Sequence, residues 1–405
     1  MSSKIDDLVS TAVAGGPPLF FPQPEGEIHY NFDQGNPATE TFPLAALAAL
    51  EDEVRREVGG PSYDYFDAAT GYEELVLGWR GLRGVLADRF AARDGRQLDP
   101  MNLILTSGSV QGIALVAKAF VDPGDVVLVE AATFPYAVRF FEAAGAEIVP
   151  VPVDSDGMDV EALDATIEEL LRSGRRPKLI YTIPTFQLPT GTCLSLERRR
   201  RLVEIANRHR VMVHEDNVYA ELRYDGDPLP TLFSLDQGGL VVQSDSFSKT
   251  VAPALRLGWV LGSHQAIAAV GAVRQDLGVN QHLARVMARF TESGMLDRHI
   301  GEIREVYRAK RDTAVAGLRE HCAEWVDFTV PDGSFFLWLR ISEQIDWDAA
   351  AARVAEAGVY CRPGERFSGD AGGGRFLRMA FSNVSTETIA EGVAALGRAL
   401  KASAR

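Results

Sequence analysis

Short, continuous apolar runs alternate along this chain with longer stretches in which apolar positions recur at helical spacing. Val126-Val127-Leu128-Val129, Leu179-Ile180-Tyr181-Thr182, Val211-Met212-Val213 and Leu240-Val241-Val242 are such runs. Unbroken runs of this length fit strands buried on both faces. The segments between them have room for crossover helices, Arg198 to Arg208 among them. Strands alternating with helices predict an α/β fold with a mostly parallel, helix-covered sheet. From about Arg285 to Cys322 the spacing turns to long helix, and an α+β tail begins near Val326 with Phe335-Phe336-Leu337-Trp338-Leu339 as a strand. Gly15-Gly16-Pro17-Pro18-Leu19-Phe20-Phe21-Pro22 cannot be regular helix and reads as an extended arm.

The expected division is an arm over 1–30, a part of a small lobe over 31–58, and a large lobe over 59–295. A linking helix over 296–325 and the rest of the small lobe over 326–405 complete it. Each predicted strand is followed by a polar segment: Glu130 to Tyr136, Pro184 to Gly191, Glu215 to Tyr219 and Ser244 to Lys249. Ligands of open α/β sheets gather outside the carboxyl ends of the strands. Four such segments on one edge predict a single deep site.

Composition narrows the function classes. A net charge of -15 over 405 residues argues against a nucleic-acid partner, because phosphate backbones need a basic face. Arg198-Arg199-Arg200-Arg201 is the exception, and behind Ser195 it reads as the solvated start of a helix. Cys193, Cys322 and Cys361 make neither a disulfide framework nor a zinc pattern, and the seven histidines give no metal spacing. The first residues lack the layout of a signal peptide, and no apolar run is long enough for a membrane helix. A cytoplasmic protein without metal is expected.

The chemistry centres on Ser244-Asp245-Ser246-Phe247-Ser248-Lys249-Thr250, with Arg256 seven residues beyond the lysine. A lysine that forms a Schiff base needs a nearby phosphate clamp, and small hydroxyl residues with an arginine suit pyridoxal 5′-phosphate. Thr106-Ser107-Gly108-Ser109-Val110-Gln111-Gly112 leads into a helical pattern. Taken alone it is a glycine-rich turn; beside Ser246, Ser248 and Arg256 it reads as a phosphate cup built on free backbone N–H groups. Phe134 sits at a strand end, where it fits a ring stack or a core aromatic equally. Asp216 follows a strand and could keep a pyridine nitrogen protonated, with Tyr219 three residues on.

In this order the segments resemble the class I/II aminotransferases of PLP fold type I, over about Asn31 to Leu400. The resemblance implies a large domain with a mostly parallel sheet, a smaller α+β domain, and PLP bound as a Schiff base to Lys249, which also serves as general base and acid. It implies that Asp216 pairs with the pyridinium, Tyr219 contacts O3′ and Phe134 stacks on the ring. Ser109, Val110, Ser246, Ser248 and Arg256 would hold the phosphate. Arg378, in Phe376-Leu377-Arg378-Met379, matches the arginine that grips the substrate α-carboxylate, and Gly35 the backbone that approaches it. Tyr65 matches the tyrosine lent to the partner's phosphate, which implies a homodimer with shared sites.

One departure stands out. Leu188, in Phe186-Gln187-Leu188-Pro189-Thr190-Gly191, replaces the family's asparagine and has no donor for O3′. Smaller departures are Phe66, the stretch Asp67-Ala68-Ala69-Thr70 ahead of Gly71-Tyr72, and Ser334 after Gly333. The default reading is transamination of a free L-α-amino acid to a 2-oxo acid. The alternative raised by Leu188 is decarboxylation coupled to oxidative deamination, or C–S β-elimination, on a bulky or sulfur-bearing amino acid of specialised metabolism. A PLP-binding transcription regulator would need a DNA-binding module, for which the residues before Asn31 are too few, and a basic face. A scaffold that merely stores PLP would not need the complete cofactor site.

Overall fold

The computed structural model describes residue 8 and residues 26–66, 71–368 and 373–405. The arm around Leu19-Phe20-Phe21 and the departure at Asp67-Ala68-Ala69-Thr70 lie outside the described residues.

The apolar runs form a seven-stranded sheet. Its strands are β1 (Leu103–Thr106), β2 (Val126–Glu130), β3 (Glu147–Val151), β4 (Pro177–Thr182), β5 (Met212–Asp216), β6 (Val241–Ser246) and β7 (Gly258–Leu261), in the order β1-β7-β6-β5-β4-β2-β3. All neighbours are parallel except those of β7, which runs against both β1 and β6. Every residue of β1, β2 and β6 is buried, the burial a helix-covered sheet imposes. Because β1, β2, β4, β5 and β6 point the same way, their carboxyl ends meet on one edge.

Helices α1 (Leu44–Glu57), α2 (Arg80–Asp94), α3 (Ser109–Phe120), α4 (Leu196–His209), α5 (Gln281–Glu292), α6 (Met295–His321) and α7 (Thr386–Lys401) cover this sheet and a second one. The second sheet has strands β8 (Val326–Asp327), β9 (Phe336–Ile341), β10 (Arg362–Pro363) and β11 (Phe376–Ala380), in the antiparallel order β8-β9-β11-β10. The amide of Ala380 donates to the Phe32 carbonyl at 2.8 Å, which lays the Asn31 to Gly35 stretch beside β11.

Three sequence expectations change. The long helix expected over Arg285 to Cys322 is two helices, α5 and α6, broken at Ser293-Gly294, where Gly294 takes a left-handed φ of 72°. Helix α1, expected in the small lobe, instead buries Leu47, Leu50 and Val54 in the core that also holds Leu82 and Leu86 of α2. Its apolar stripe finds a partner there, and sequence order alone does not say which sheet a helix covers.

The arginine run is the third. Ser195 caps α4 by accepting from the Arg198 amide, but Arg199 on the inner face is fully buried. Its guanidinium donates to the carbonyls of Leu194 at 2.8 Å, Pro184 at 2.6 Å and Pro230 at 3.1 Å, and to Thr185 Oγ1 at 2.8 Å. Pro184 and Leu194 bracket the loop that carries Leu188, so one side chain ties both ends of that loop. Arg199→Ala would strand those acceptors and remove the positive charge facing buried Glu215. We expect a loss of about 3–5 kcal/mol in urea unfolding. A loss below about 1 kcal/mol would show the clamp to be dispensable.

Candidate active site

The site is built at the carboxyl edge of the large sheet, facing β9 and β11. Lys249 follows β6, and its Nζ donates to the Gly35 carbonyl at 2.9 Å, 5.7 Å from the Tyr219 ring centroid. Gly35 has no room for a side chain, because a Cβ would strike the Phe336 ring. The lysine pKa falls to about 8, through desolvation and then the positive charge of Arg378, with Asp216 opposing and Arg256 adding a small push. A primary amine in this setting reaches its neutral, nucleophilic form far more readily than one in water.

Arg378 on β11 is the second pole. It donates to the Asp33 carbonyl, and its guanidinium lies 4.7 Å from the Phe336 ring centroid and 5.5 Å from that of Phe367. Burial and the neighbouring Arg362 lower its pKa to about 10, so it is a cation at neutral pH, and its Nε is buried without a partner. Arg362 itself donates to Asp33 through two bonds, at 2.6 and 2.8 Å. Asp33, Gln34 and Gly35 therefore form one short strip that touches both the lysine and the arginine. Tyr219 is buried edge-on against Phe335 and Phe336, and burial raises its pKa.

Asp216 ends β5. One oxygen, Oδ2, accepts from the Tyr181 hydroxyl at 2.7 Å, while Oδ1 is buried with no partner. Burial raises its pKa to about 6 against the lowering effects of Tyr181, the Val218 amide and Lys249. A buried carboxylate oxygen left unpaired is an acceptor prepared for a donor from outside the chain.

At the other end, the register of β7 sets Gly258 opposite both Thr106 and Ser246, which brings three loops together. Ser109 opens α3 after Gly108, whose φ of 79° a side chain would resist. A Cβ on Gly108 would also collide with the Arg256 guanidinium, which donates to the Ser107 carbonyl at 2.8 Å. The Ser248 amide donates to Ser246 Oγ at 3.3 Å. The first amides of α3, including that of Val110, have no intrahelical acceptor and are left free to donate to an anion.

Leu188 is buried on the loop between β4 and α4. A polar knot that sequence reasoning missed holds this loop. Glu130 is fully buried and accepts from Thr182 Oγ1 at 2.7 Å, Gln187 Nε2 at 3.0 Å, the Ile183 amide at 3.2 Å and Thr133 Oγ1 at 3.3 Å. Gln187 Oε1 in turn accepts from the Thr190 amide and hydroxyl at 3.0 and 2.7 Å. Burial pushes Glu130 up to about 7. The Thr133 amide donates to the Phe367 carbonyl at 3.0 Å, which carries Phe134 to the same mouth, its ring tilted against Tyr136.

The fold thus gathers Lys249, Asp216, Tyr219, Gly35 and Arg378. It sets Arg256 against the Gly108 turn that leads to Ser109 and Val110, and brings Ser246, just ahead of Ser248, to the same strand edge. It ties the Leu188 loop to that of Phe134 through Gln187 and the Ala132 carbonyl. Tyr65 stands apart: its side chain is exposed, and Gln281 Nε2 holds its carbonyl at 3.0 Å. Tyr181 and Arg199 went unrecognised because each lies in a segment that reads as plain strand or helix, and Glu130, at the head of a polar segment, because its partners come from other segments. A tyrosine within an otherwise aliphatic strand was the available signal for the first. Among the described residues no group of side chains could hold a metal ion, and no helix is long and apolar enough to cross a membrane.

The sequence model of the family described as aminotransferase class I and II matches residues 30–396. Aromatic-amino-acid aminotransferase 1 of Thermococcus litoralis is 33% identical over 369 residues, 91% of this chain and 87% of that protein. The solved multiple substrate aminotransferase of Thermococcus profundus superposes with a TM-score of 0.90 at 32% identity, covering 99% of each chain. Kynurenine aminotransferase of Pyrococcus horikoshii, solved with pyridoxamine phosphate, kynurenine and its product, gives a TM-score of 0.90 at 30% identity over 99% of this chain and 98% of that one.

Proposed function

The chain belongs to the class I and II aminotransferases, enzymes that move an amino group between an amino acid and a 2-oxo acid, and we propose that it does so with pyridoxal 5′-phosphate held at Lys249, on amino acids with large apolar or aromatic side chains. The observation that carries the cofactor assignment is the unpaired buried oxygen of Asp216 in the same cluster as the Lys249 amine. The phosphate, ring nitrogen and aldehyde of the cofactor would each meet one of three features, the free α3 amides, that oxygen and that amine. Leu188 offers such a ligand nothing but an apolar contact.

Bound there, the cofactor supplies an aldehyde that links to amines and a ring that accepts the electron pair left at Cα. The chain supplies the rest. Ser109, Val110, Ser246, Ser248 and Arg256 hold the phosphate, and Phe134 covers one face of the ring. Asp216 keeps the ring nitrogen protonated, because an ionised carboxylate beside it favours the charged form. Tyr219 donates toward the ring oxygen. Arg378 and Gly35 would orient the substrate α-carboxylate, and the Lys249 amine would take the proton from Cα and pass it to the carbon that carried the aldehyde.

Arg362 is engaged by Asp33, so the arginine next to the carboxylate clamp is not available to grip an acidic side chain. Phe134, Tyr136, Phe336 and Phe367 leave an aromatic wall, and the relatives named for aromatic amino acids and kynurenine agree with that preference. A second copy would complete the site by bringing its own exposed Tyr65 to the phosphate. The free cysteines Cys193, Cys322 and Cys361 suit a cytoplasmic enzyme.

Relatives named as aminotransferases do not favour the decarboxylating or eliminating alternative raised by Leu188. Incubating the PLP-loaded protein with aromatic amino acids and no 2-oxo acid is expected to yield pyridoxamine phosphate and one equivalent of the matching 2-oxo acid. Retained PLP with released carbon dioxide, aldehyde or thiol would overturn this reading. Leu188→Asn is expected to give the same 2-oxo acid with kcat within about tenfold, since one added donor shifts a rate by about that much.

A further inference from the structure

The two oxygens of Asp216 live in different surroundings: Oδ2 accepts from a tyrosine, and Oδ1 is buried without a hydrogen-bond partner. Tyr181 is fully buried on β4, the strand next to β5, and its hydroxyl is, among the described residues, the single side-chain donor to Asp216, reaching Oδ2 at 2.7 Å. Packing fixes the ring: Phe141 meets it edge-on with centroids 5.7 Å apart, and His214 at 5.5 Å and near perpendicular. His214 is anchored in turn, its Nε2 lying 2.7 Å from Ser244 Oγ. The phenol therefore has little freedom to leave the carboxylate, and the carboxylate little freedom to turn.

We propose that Tyr181 is a positioning residue for the transamination reaction, holding Asp216 by Oδ2 so that its unpaired Oδ1 is presented to the ring nitrogen of the cofactor. The inference rests on the reading of Asp216 as the partner of that nitrogen. A donor on Oδ2 does two things. It locks the carboxylate plane, which is worth most where the partner is a single aimed N–H group. It also stabilises the ionised carboxylate, so the shared proton stays on the ring nitrogen instead of moving to the aspartate. His214 cannot take over, since burial lowers its pKa to about 3 and its neutral ring faces the tyrosine edge-on. Glu130, Glu215 and Asp245 are the other buried acids around this point, and each is engaged by its own donors.

Tyr181→Phe keeps the ring and its packing and deletes only the hydroxyl. In the PLP-loaded full-length protein the pH midpoint of the cofactor's visible absorption change is expected to rise by about one unit, as positive charge on the ring falls. kcat is expected to fall roughly tenfold, with KM for the amino acid within about twofold, because the substrate carboxylate contacts are untouched. A purely structural tyrosine would lower the melting temperature and leave the midpoint and kcat where they are, and that result would overturn the inference. Should the variant fail to fold, 3-fluorotyrosine placed at 181, a stronger donor of the same shape, is expected to lower the midpoint; no movement would be equally decisive against it. The wild-type protein separates the two levels of the argument. If it takes up no PLP at Lys249, the reading of the site falls and this inference with it; if it binds normally and Tyr181→Phe behaves as wild type, only the inference falls.

Discussion

Lys249→Ala is expected to abolish amino transfer, with turnover falling by at least about 10⁴-fold and covalent retention of the cofactor lost. The amine has two tasks, and no neighbour can assume either. Arg378 stays a cation near neutral pH, Arg256 is committed to the Ser107 carbonyl, Tyr219 is pushed by burial to a pKa above its ordinary value, and Asp216 is occupied with Tyr181. The structural cost is small, because Lys249 is only partly buried and, among the described residues, its one hydrogen-bond partner is the Gly35 carbonyl. Circular dichroism and urea unfolding should therefore match wild type while single-turnover formation of 2-oxo acid disappears. Residual turnover within about a hundredfold of wild type would remove Lys249 from the chemistry. The pH dependence has a definite sign. Lys249 loses its proton on going up through about pH 8, so uptake of PLP by cofactor-free wild-type protein should accelerate about tenfold per unit below that value and level off above it. A rate that stays flat through pH 8 would show that the amine is not the group that captures the cofactor.

Arg378→Lys is expected to lower kcat/KM for α-amino acids by about 10²–10³-fold, mostly through KM. The guanidinium is flat and lies near the rings of Phe336 and Phe367, with the Asp33 carbonyl and carboxylate setting its orientation. Two parallel N–H groups on such a plane can grip a carboxylate through both oxygens, whereas an ammonium is a point charge that cannot stack in the same cage. The charge is conserved in this variant, so a large loss would measure geometry and not net electrostatics. An amino-acid amide, which has no carboxylate to grip, should distinguish wild type from variant by less than about threefold. If the acid too were handled within about threefold, Arg378 would not be the carboxylate clamp.

Sequence determined the parallel sheet, because strands buried on both faces must be apolar throughout, and the runs at Val126, Leu179, Val211 and Leu240 announce themselves. It determined the chemistry of the loops as well, since Lys249, Asp216, Tyr219 and Arg256 follow their strands at short, fixed distances. Tertiary structure decided whatever depends on which side of an element faces inward and what comes to meet it. Arg199 sits among three other arginines and is the one turned into the core. Helix α1 carries an apolar stripe that fits either lobe, and only packing chose the large one. Tyr181 reads as one more residue of a buried strand until β4 and β5 lie side by side and its hydroxyl meets Asp216, 35 residues away. The physical reason is common to all three: an apolar pattern states that a residue is buried, while the partner of a buried polar group is fixed by register and packing between segments distant in the chain.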